Sequence, residues 1–94
     1  MTRVIKLHPT DNVATAVEDI PAGAKLELTG ENVVTSEAIP FGHKVALKPI
    51  RSGEPILKYG EPIGLALSEI PLGACIHVHN VDSQRGRGDR GVKR

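Results

Sequence analysis

Four copies of a short Ile-x-x-Gly phrase divide this chain, and three of them carry proline directly after the isoleucine. Proline fixes φ near the value needed at the first central position of a tight turn, and glycine accepts the positive φ that ends it. Each phrase, called a corner below, therefore predicts a strand end, a turn and a new strand, which is typical of an all-β fold. Corners 1 to 4 are Ile20-Pro21-Ala22-Gly23, Ile39-Pro40-Phe41-Gly42, Ile50-Arg51-Ser52-Gly53 and Ile70-Pro71-Leu72-Gly73.

The spacing between successive corners is long, short and long. This rhythm suggests two related halves joined around Lys48-Pro49, although the halves differ too much elsewhere to indicate a duplication. The predicted strands of the two halves are 4–7, 13–17, 25–28, 33–35, 43–47, 55–59, 63–67 and 76–81. Between Pro9 and Pro21 the apolar spacing fits a helix as well as a strand, and the neighbouring turns favour the strand.

Composition limits the core and the classes of site. A chain of 94 residues predicts one small domain, and Phe41 and Tyr59 are its only aromatic residues. We therefore expect an aliphatic core and no surface on which nucleic-acid bases stack. The single cysteine, Cys75, excludes an intramolecular disulfide and a four-cysteine zinc site, and is expected to be a small buried hydrophobic residue.

Charge and hydropathy divide the chain unevenly. We predict a globular domain over residues 1–82 and a flexible basic tail, rich in arginine and glycine, over residues 83–94. Docking of this tail onto a partner subunit is the alternative, and nucleic-acid binding is not expected because the rest of the chain is mildly acidic. No apolar run is long enough to span a membrane and no leader-like segment follows Met1, so a cytoplasmic protein is expected.

Histidines are the clearest candidates for chemistry. His77 and His79 lie two apart on a predicted strand, so they would project from one face with Cα atoms ~7 Å apart. That spacing suits two imidazoles on one divalent metal, although only Asn80 or Asp82 could add a nearby ligand. The alternative is an exposed polar strand face.

A second candidate follows corner 2. His43 and Lys44 would place a base and a cation beside a tight turn, where they could take a proton or bind a carboxylate. The alternative is the solvated start of a strand. His8, close to the turn-forming Asp11-Asn12, is expected to be structural.

Four segments in order resemble the SAF domain of the altronate/galactarate dehydratase family. The first segment is residues 8–14. The other three include Phe41-Gly42-His43-Lys44, Tyr59-Gly60-Glu61-Pro62 and His77-Val78-His79-Asn80. The resemblance covers residues 4 to 82 and implies a β-clip fold like that of type III antifreeze proteins. It also implies a metal-assisted lyase that removes water from a sugar acid.

The resemblance assigns roles to individual residues. It implies catalytic roles for His43 and Lys44 and metal binding for His77 and His79, and we add Lys48 and Asn80 as substrate-binding residues. Fe(II) or Mn(II) is favoured over zinc as the metal, and it could be shared with a large subunit.

Full family members continue far beyond the length of this chain, so it resembles a small subunit that is inactive without a large dehydratase-like partner. The related sulfolactate sulfo-lyases, built from a small and a large subunit, give one alternative function. A non-catalytic carbohydrate-binding or assembly module of the SAF type is the other.

Overall fold

The computed structural model describes residues 2–28, 30–77 and 79–82. These residues form short strands and no helix, so the predicted all-β class is confirmed and no described helix could cross a bilayer. The predicted basic tail, residues 83–94, lies outside the described residues. The strands are β1 (Thr2–Ile5), β2 (Val13–Ala16), β3 (Leu26–Glu27), β4 (Lys44–Ala46), β5 (Pro55–Lys58), β6 (Glu61–Ala66), β7 (Cys75–Ile76) and β8 (Val81–Asp82).

Two small sheets contain these strands. The larger sheet has the order β3-β1-β2-β4-β7, in which β1 and β3 run parallel and the other neighbours run antiparallel. The smaller sheet has the order β5-β6-β8 and is antiparallel throughout. The ambiguous segment before corner 1 is a strand, β2, because its β-branched residues pair on both sides.

The corners pair with each other in order. Ile20 and Ile39 exchange two backbone hydrogen bonds of 2.8 Å, and Ile50 and Ile70 exchange two of 2.8 and 2.7 Å. The glycine of every corner has a φ between 78° and 86°, as the turn requires. The predicted turn role of the corners is confirmed, with corner 1 bound to corner 2 and corner 3 to corner 4.

The two predicted halves share the central strand. In the first half Gly42 N–H donates to the Ala16 carbonyl, and in the second half Gly73 N–H donates to the Ala46 carbonyl, both at 2.9 Å. The same hydrogen bond, from a corner glycine to an alanine carbonyl, thus recurs about 30 residues later in the chain. Strand β4 pairs with β2 in one half and with β7 in the other. The prediction of two related halves is confirmed at the level of backbone hydrogen bonds.

Each face of the sheet around β4 has its own apolar cluster. Consecutive side chains of a strand point to opposite faces, so Val45 joins the first cluster and Ala46 the second, as do Cys75 and Ile76. Both clusters are aliphatic apart from Cys75, as expected from the composition. The first contains Ala14, Ala16, Ile20, Leu26, Val33, Ile39, Val45, Leu47 and Cys75, and the second Val13, Ala46, Ile50, Ile56, Ala66, Ile70, Ala74 and Ile76.

Two buried polar side chains fasten the smaller sheet to the larger one. Asn12 Oδ1 accepts the backbone N–H of Leu57 at 2.8 Å, and its amide donates to a carbonyl of β5 at 3.0 Å. The Asp11 carboxylate accepts the backbone N–H groups of Tyr59 and Gly60 at 3.0 and 2.8 Å. Because both side chains directly precede β2, they fix the position of β5 relative to it.

The predicted strand over residues 76–81 is wrong. Strand β7 ends at Ile76, and β8 begins only at Val81. A turn lies between them, in which Asn80 N–H donates to the His77 carbonyl at 3.1 Å. Asparagine favours such turns because its side chain binds nearby backbone groups.

Candidate functional site

Two histidines meet where β4 begins and β7 ends. Lys44 lies opposite Ile76 in the antiparallel pair, and His43 and His77 each lie one residue beyond it, at the same end of the two strands. Their imidazole rings stack with centroids 4.0 Å apart and planes 13° from parallel. The sequence predicted both residues as site candidates but did not bring them together, because the contact depends on the register between distant strands.

Cys75, a member of the first apolar cluster, contacts this histidine pair through His43. Its Sγ is 3.7 Å from His43 Nδ1, and its backbone N–H donates to Glu37 Oε2 at 3.0 Å. Burial raises the pKa of the Cys75 thiol, and the negative charge of Glu37 raises it further, while Lys44 opposes the shift. The thiol therefore stays protonated at neutral pH, in keeping with its predicted place in the core. Its contact with His43 is a feature that the sequence did not predict.

His77 is exposed and keeps a neutral ring at neutral pH. Desolvation by its neighbours is the largest cause that lowers the pKa of His77, followed by the positive charges of His43, Lys44 and His79. A neutral imidazole has one ring nitrogen with a free lone pair. His77 can therefore accept a proton at neutral pH.

Lys44 projects from the opposite face of the sheet to His43, because neighbouring residues of a strand alternate. It is half-buried, and this burial lowers the pKa of Lys44, as does the positive charge of Lys58, while Cys75 opposes the shift. His43 and Lys44 both lie directly after corner 2, as predicted, and their side chains point to opposite faces. The charge of Lys44 nevertheless acts on His77 across the end of the sheet.

Asn80 shapes the turn that carries His77. Its Oδ1 accepts the backbone N–H of His77 at 3.1 Å, and its Nδ2 donates to the Cys75 carbonyl at 2.9 Å. Both ends of the amide thus bind backbone on either side of Ile76. This arrangement holds the end of β7 in the position from which His77 reaches His43.

Lys48 lies at the other end of β4 from His43. It is exposed and precedes Pro49, which lines a surface pocket between corners 3 and 4. The strand separates the two ends by roughly 3.3 Å per residue. The structure therefore does not bring Lys48 to the histidine pair. The pocket is lined by Pro49, Ile50, Arg51, Glu69, Ile70 and Pro71.

His77 and His79 do not share a strand face, because the strand ends before them. His79 is exposed in the turn, and the ring of His77 lies against His43. Among residues 2–28, 30–77 and 79–82, no three histidine, cysteine or acidic side chains are grouped closely enough to hold a metal. The described residues therefore do not fit a divalent metal site by themselves.

Comparison with known proteins gives consistent matches. The model of the SAF domain of altronate/galactarate dehydratases matches residues 2–84. Altronate dehydratase of Bacillus subtilis is 44% identical over 80 residues, which is 85% of this chain and 16% of that protein. Altronate dehydratase of Escherichia coli is 41% identical over 76 residues, which is 81% of this chain and 15% of that protein.

A third relative is a short protein that this chain matches over most of its length. The (2R)-sulfolactate sulfo-lyase subunit alpha of Paracoccus pantotrophus is 43% identical over 47 residues, which is 50% of this chain and 70% of that subunit. The chain thus spans most of this subunit but only about a sixth of the length of the two dehydratases.

Proposed function

The chain belongs to the family of altronate/galactarate dehydratase SAF domains, as its sequence motifs indicated, and from this membership we propose that it is the small subunit of a sugar-acid dehydratase. The proposed reaction removes water from an altronate-like aldonate or aldarate. The named activities of the matched relatives, altronate dehydratase and sulfolactate sulfo-lyase, are both eliminations, which supports a lyase.

The stacked histidine pair carries this proposal. Elimination next to a carboxylate requires a base for the proton, positive charge near the enediolate and an acid for the departing hydroxyl. His77, neutral at neutral pH, is proposed as the base that takes the proton, and His43, stacked against it, as the acid that protonates the departing hydroxyl. Lys44 supplies the nearby positive charge.

The proposal also includes a divalent metal, Fe(II) or Mn(II). Some of its ligands must then come from outside the described residues of this chain. His77 and His79 would contribute at most two ligands, whereas catalytic zinc and non-haem iron sites typically have three protein ligands. We propose that a large dehydratase-like subunit supplies the others. The metal would add Lewis-acid stabilisation of the enediolate, whereas proton transfer rests on the histidine pair of this chain.

The small subunit of a sulfolactate-type sulfo-lyase is the second candidate. One observation favours it, namely that the chain covers 70% of subunit alpha of the Paracoccus pantotrophus enzyme. The same base and positive charge would serve elimination of sulfite from a 2-hydroxy acid. A non-catalytic assembly module is the candidate from another class, and it would leave the histidine pair without a role in turnover.

Substitution in the reconstituted complex tests the proposal. The chain is combined with the large dehydratase-like chain of the same organism, and turnover of altronate and of sulfolactate is measured for wild type, His43→Ala, His77→Ala and His79→Ala. We expect His43→Ala and His77→Ala to lower kcat by about 100-fold or more, as loss of a proton-transfer group does. His8→Ala, outside the site, is the matched control and should keep turnover. Unchanged turnover of both site variants in intact complexes would contradict a catalytic role.

A further inference from the structure

Tyr59 has a backbone conformation that is unfavourable for a tyrosine. It forms the two-residue turn between β5 and β6 together with Gly60, and both have positive φ, 58° and 74°. Positive φ at both positions is typical of a type I′ hairpin turn, in which asparagine is preferred at the first position because a larger side chain is strained there. The Asp11 carboxylate offsets the strain by accepting the backbone N–H groups of both turn residues. The fold thus keeps a tyrosine where another residue would fit more easily.

The Tyr59 side chain does not contribute to either apolar cluster. The residue is 63% exposed, and the Lys58 ammonium lies 5.3 Å from the centroid of its ring. This cation–π contact restrains the ring, so less conformational entropy is lost when a partner binds it. Strained residues that their surroundings hold in place are concentrated at functional sites, and tyrosine is enriched among the residues that dominate binding at protein interfaces. Exposure and strain together indicate a binding role.

An uncovered part of the larger sheet lies on the same side of the molecule as this hairpin. Val4 packs against the first cluster, so Ile5 projects from the opposite face of the sheet. On that face the second cluster covers β2 and β4 at Val13 and Ala46. It does not cover β1, where Ile5 is 47% exposed, and Leu7, just beyond the strand, is 39% exposed. Two aliphatic side chains are therefore left without a cover beside the smaller sheet.

A tight turn over residues 8–11 connects these aliphatic side chains with the hairpin. Leu7 directly precedes the turn, and Asp11 ends it and accepts the Tyr59 N–H at 3.0 Å. The two ends of such a turn are less than about 7 Å apart. Leu7 and Tyr59 are therefore attached to opposite ends of one short turn. Ile5, Leu7 and Tyr59 are called the tip surface below.

The end of β8 points toward this hairpin. Val81 lies opposite Ala66 and Asp82 opposite Leu65, so β8 runs back along β6 toward Glu61, the first residue after the turn. Glu61 is about 13 Å further along β6, at roughly 3.3 Å per residue. The matched altronate dehydratases correspond to this chain with their N-terminal regions, about a sixth of their length, so the large remainder follows this domain. That remainder begins where the chain is directed toward the tip surface.

We propose that the tip surface is the docking surface for the large dehydratase-like chain, with Tyr59 as its central contact. This inference rests on the proposed function for the identity of the partner, and it names the surface by which the partner is bound. The Tyr59 ring would enter an apolar pocket of the large chain, and its hydroxyl requires a hydrogen-bond acceptor there. Ile5 and Leu7 would exclude water around this contact. The complementary surface is therefore apolar with one acceptor.

NMR of the 94-residue chain, labelled with 15N, locates the docking surface. The large dehydratase-like chain of the same organism is added, and backbone amide signals are followed. We expect the signals of Ile5, Leu7 and Tyr59 to shift or broaden. The signal of Val34, an exposed residue next to Val33 of the first cluster, should stay unchanged. Changes at Val34 without changes at Tyr59, or no binding of the large chain, would overturn the proposal.

Tyr59→Asn separates docking from folding. Asparagine is preferred at the first position of a type I′ turn, so the hairpin should form and the urea midpoint should not fall. The affinity for the large chain should nevertheless weaken by about tenfold or more, as expected for the loss of a central interface contact. Ile5→Thr should weaken it less, and Val34→Thr, the matched control, should leave it unchanged. Wild-type affinity of Tyr59→Asn would contradict the docking surface.

Other occupants of the tip surface give different results in the same samples. If the Tyr59 signal depends on the concentration of the 94-residue chain alone and sedimentation shows a dimer, a second copy covers the surface and the proposal is wrong. Nuclear Overhauser contacts from residues 83–94 to the Tyr59 ring in the isolated chain would likewise contradict it.

The failure of the docking surface and the failure of the proposed function are distinguishable. If the large chain binds through Tyr59 but the complex eliminates neither water from altronate nor sulfite from sulfolactate, the docking surface is supported and the proposed reaction is not. If the complex is active and Tyr59→Asn keeps both full affinity and full turnover at dilute concentrations, the reaction is supported and the docking surface is wrong.

Discussion

The rings of His43 and His77 lie face to face, 4.0 Å between centroids, although one histidine follows corner 2 and the other follows β7. Two charged imidazolium rings repel each other at this distance, whereas a neutral ring against a charged or neutral one does not. The geometry thus connects the protonation state of His77 to the shape of the candidate site.

This connection predicts a pH dependence. The folded chain holds His77 neutral, whereas the unfolded chain binds a proton at the ordinary histidine pKa. The contribution of His77 to the free energy of unfolding is therefore fully present above that ordinary pKa and is lost as the pH falls through the lowered value. An NMR titration of the ring protons should give a pKa of His77 below the ordinary histidine value.

A variant of the stacking partner checks the cause. In His43→Ala the pKa of His77 should move upward toward the ordinary value, because both a desolvating neighbour and a positive charge are removed. His8→Ala serves as the control and should leave it unchanged. An identical titration of His77 with and without His43 would show that the stack does not govern its protonation.

The amide of Asn80 is expected to position His77 rather than to contact substrate. Asn80→Ala leaves the His77 N–H and the Cys75 carbonyl without their present partners, so the free energy of unfolding should fall by about 1–3 kcal/mol. The ring protons of His77 should lose the shift caused by the His43 ring. Asn32→Ala, at an exposed position in the first half, is the matched control for both measurements.

The alternative for Asn80 has a different kinetic result. If Asn80→Ala raises KM in the complex while stability and the His77 signals stay as in wild type, the sequence-based assignment of Asn80 as a substrate-binding residue is supported instead. Asn80→Asp, which keeps the acceptor for His77 N–H and loses the donor to Cys75, should lie between wild type and Asn80→Ala.

Corner 4 differs from corner 3 in the space around its glycine. A Cβ on Gly73 would lie 2.2 Å from the Val34 carbonyl oxygen, whereas a Cβ on Gly53 would meet nothing within 4 Å. Both glycines have positive φ, so alanine costs about 1–2 kcal/mol at either position through backbone strain. Gly73→Ala should cost clearly more, or prevent folding, because backbone must also move. Urea unfolding compares the two, and equal midpoints would contradict the close approach.

The sequence predicts the fold better than it predicts the site, and the reason is physical. Turns are local, so proline and glycine at the corners indicated where strands end, and the Asn80 turn was missed only because β-branched neighbours favour a strand. The contact between His43 and His77 is set by the pairing of β4 with β7, which no local pattern contains. The spacing of Cys75 and His77 is the one local signal that could have placed the thiol near a site histidine, since residues two apart project to the same side of an extended chain.

Register also decided which site residues lie apart. His43 and Lys44 are adjacent in sequence and project from opposite faces, whereas Lys44 and Thr15 are distant in sequence and lie side by side. Lys48 is removed from the site because it lies beyond the opposite end of β4 from His43. To predict which charged side chains are neighbours, the pairing and register of the strands must be known. Turns can be predicted from local sequence alone.

The most direct test of the proposed function is altronate turnover by the purified 94-residue chain, by the large dehydratase-like chain, and by both together. The assay is run with Fe(II), with Mn(II) and without added metal, and 2-keto-3-deoxy acid is the measured product. We predict no turnover by the 94-residue chain alone and turnover when both chains are present, lost again with His77→Ala. Turnover by the large chain at the same rate without the small one would contradict it.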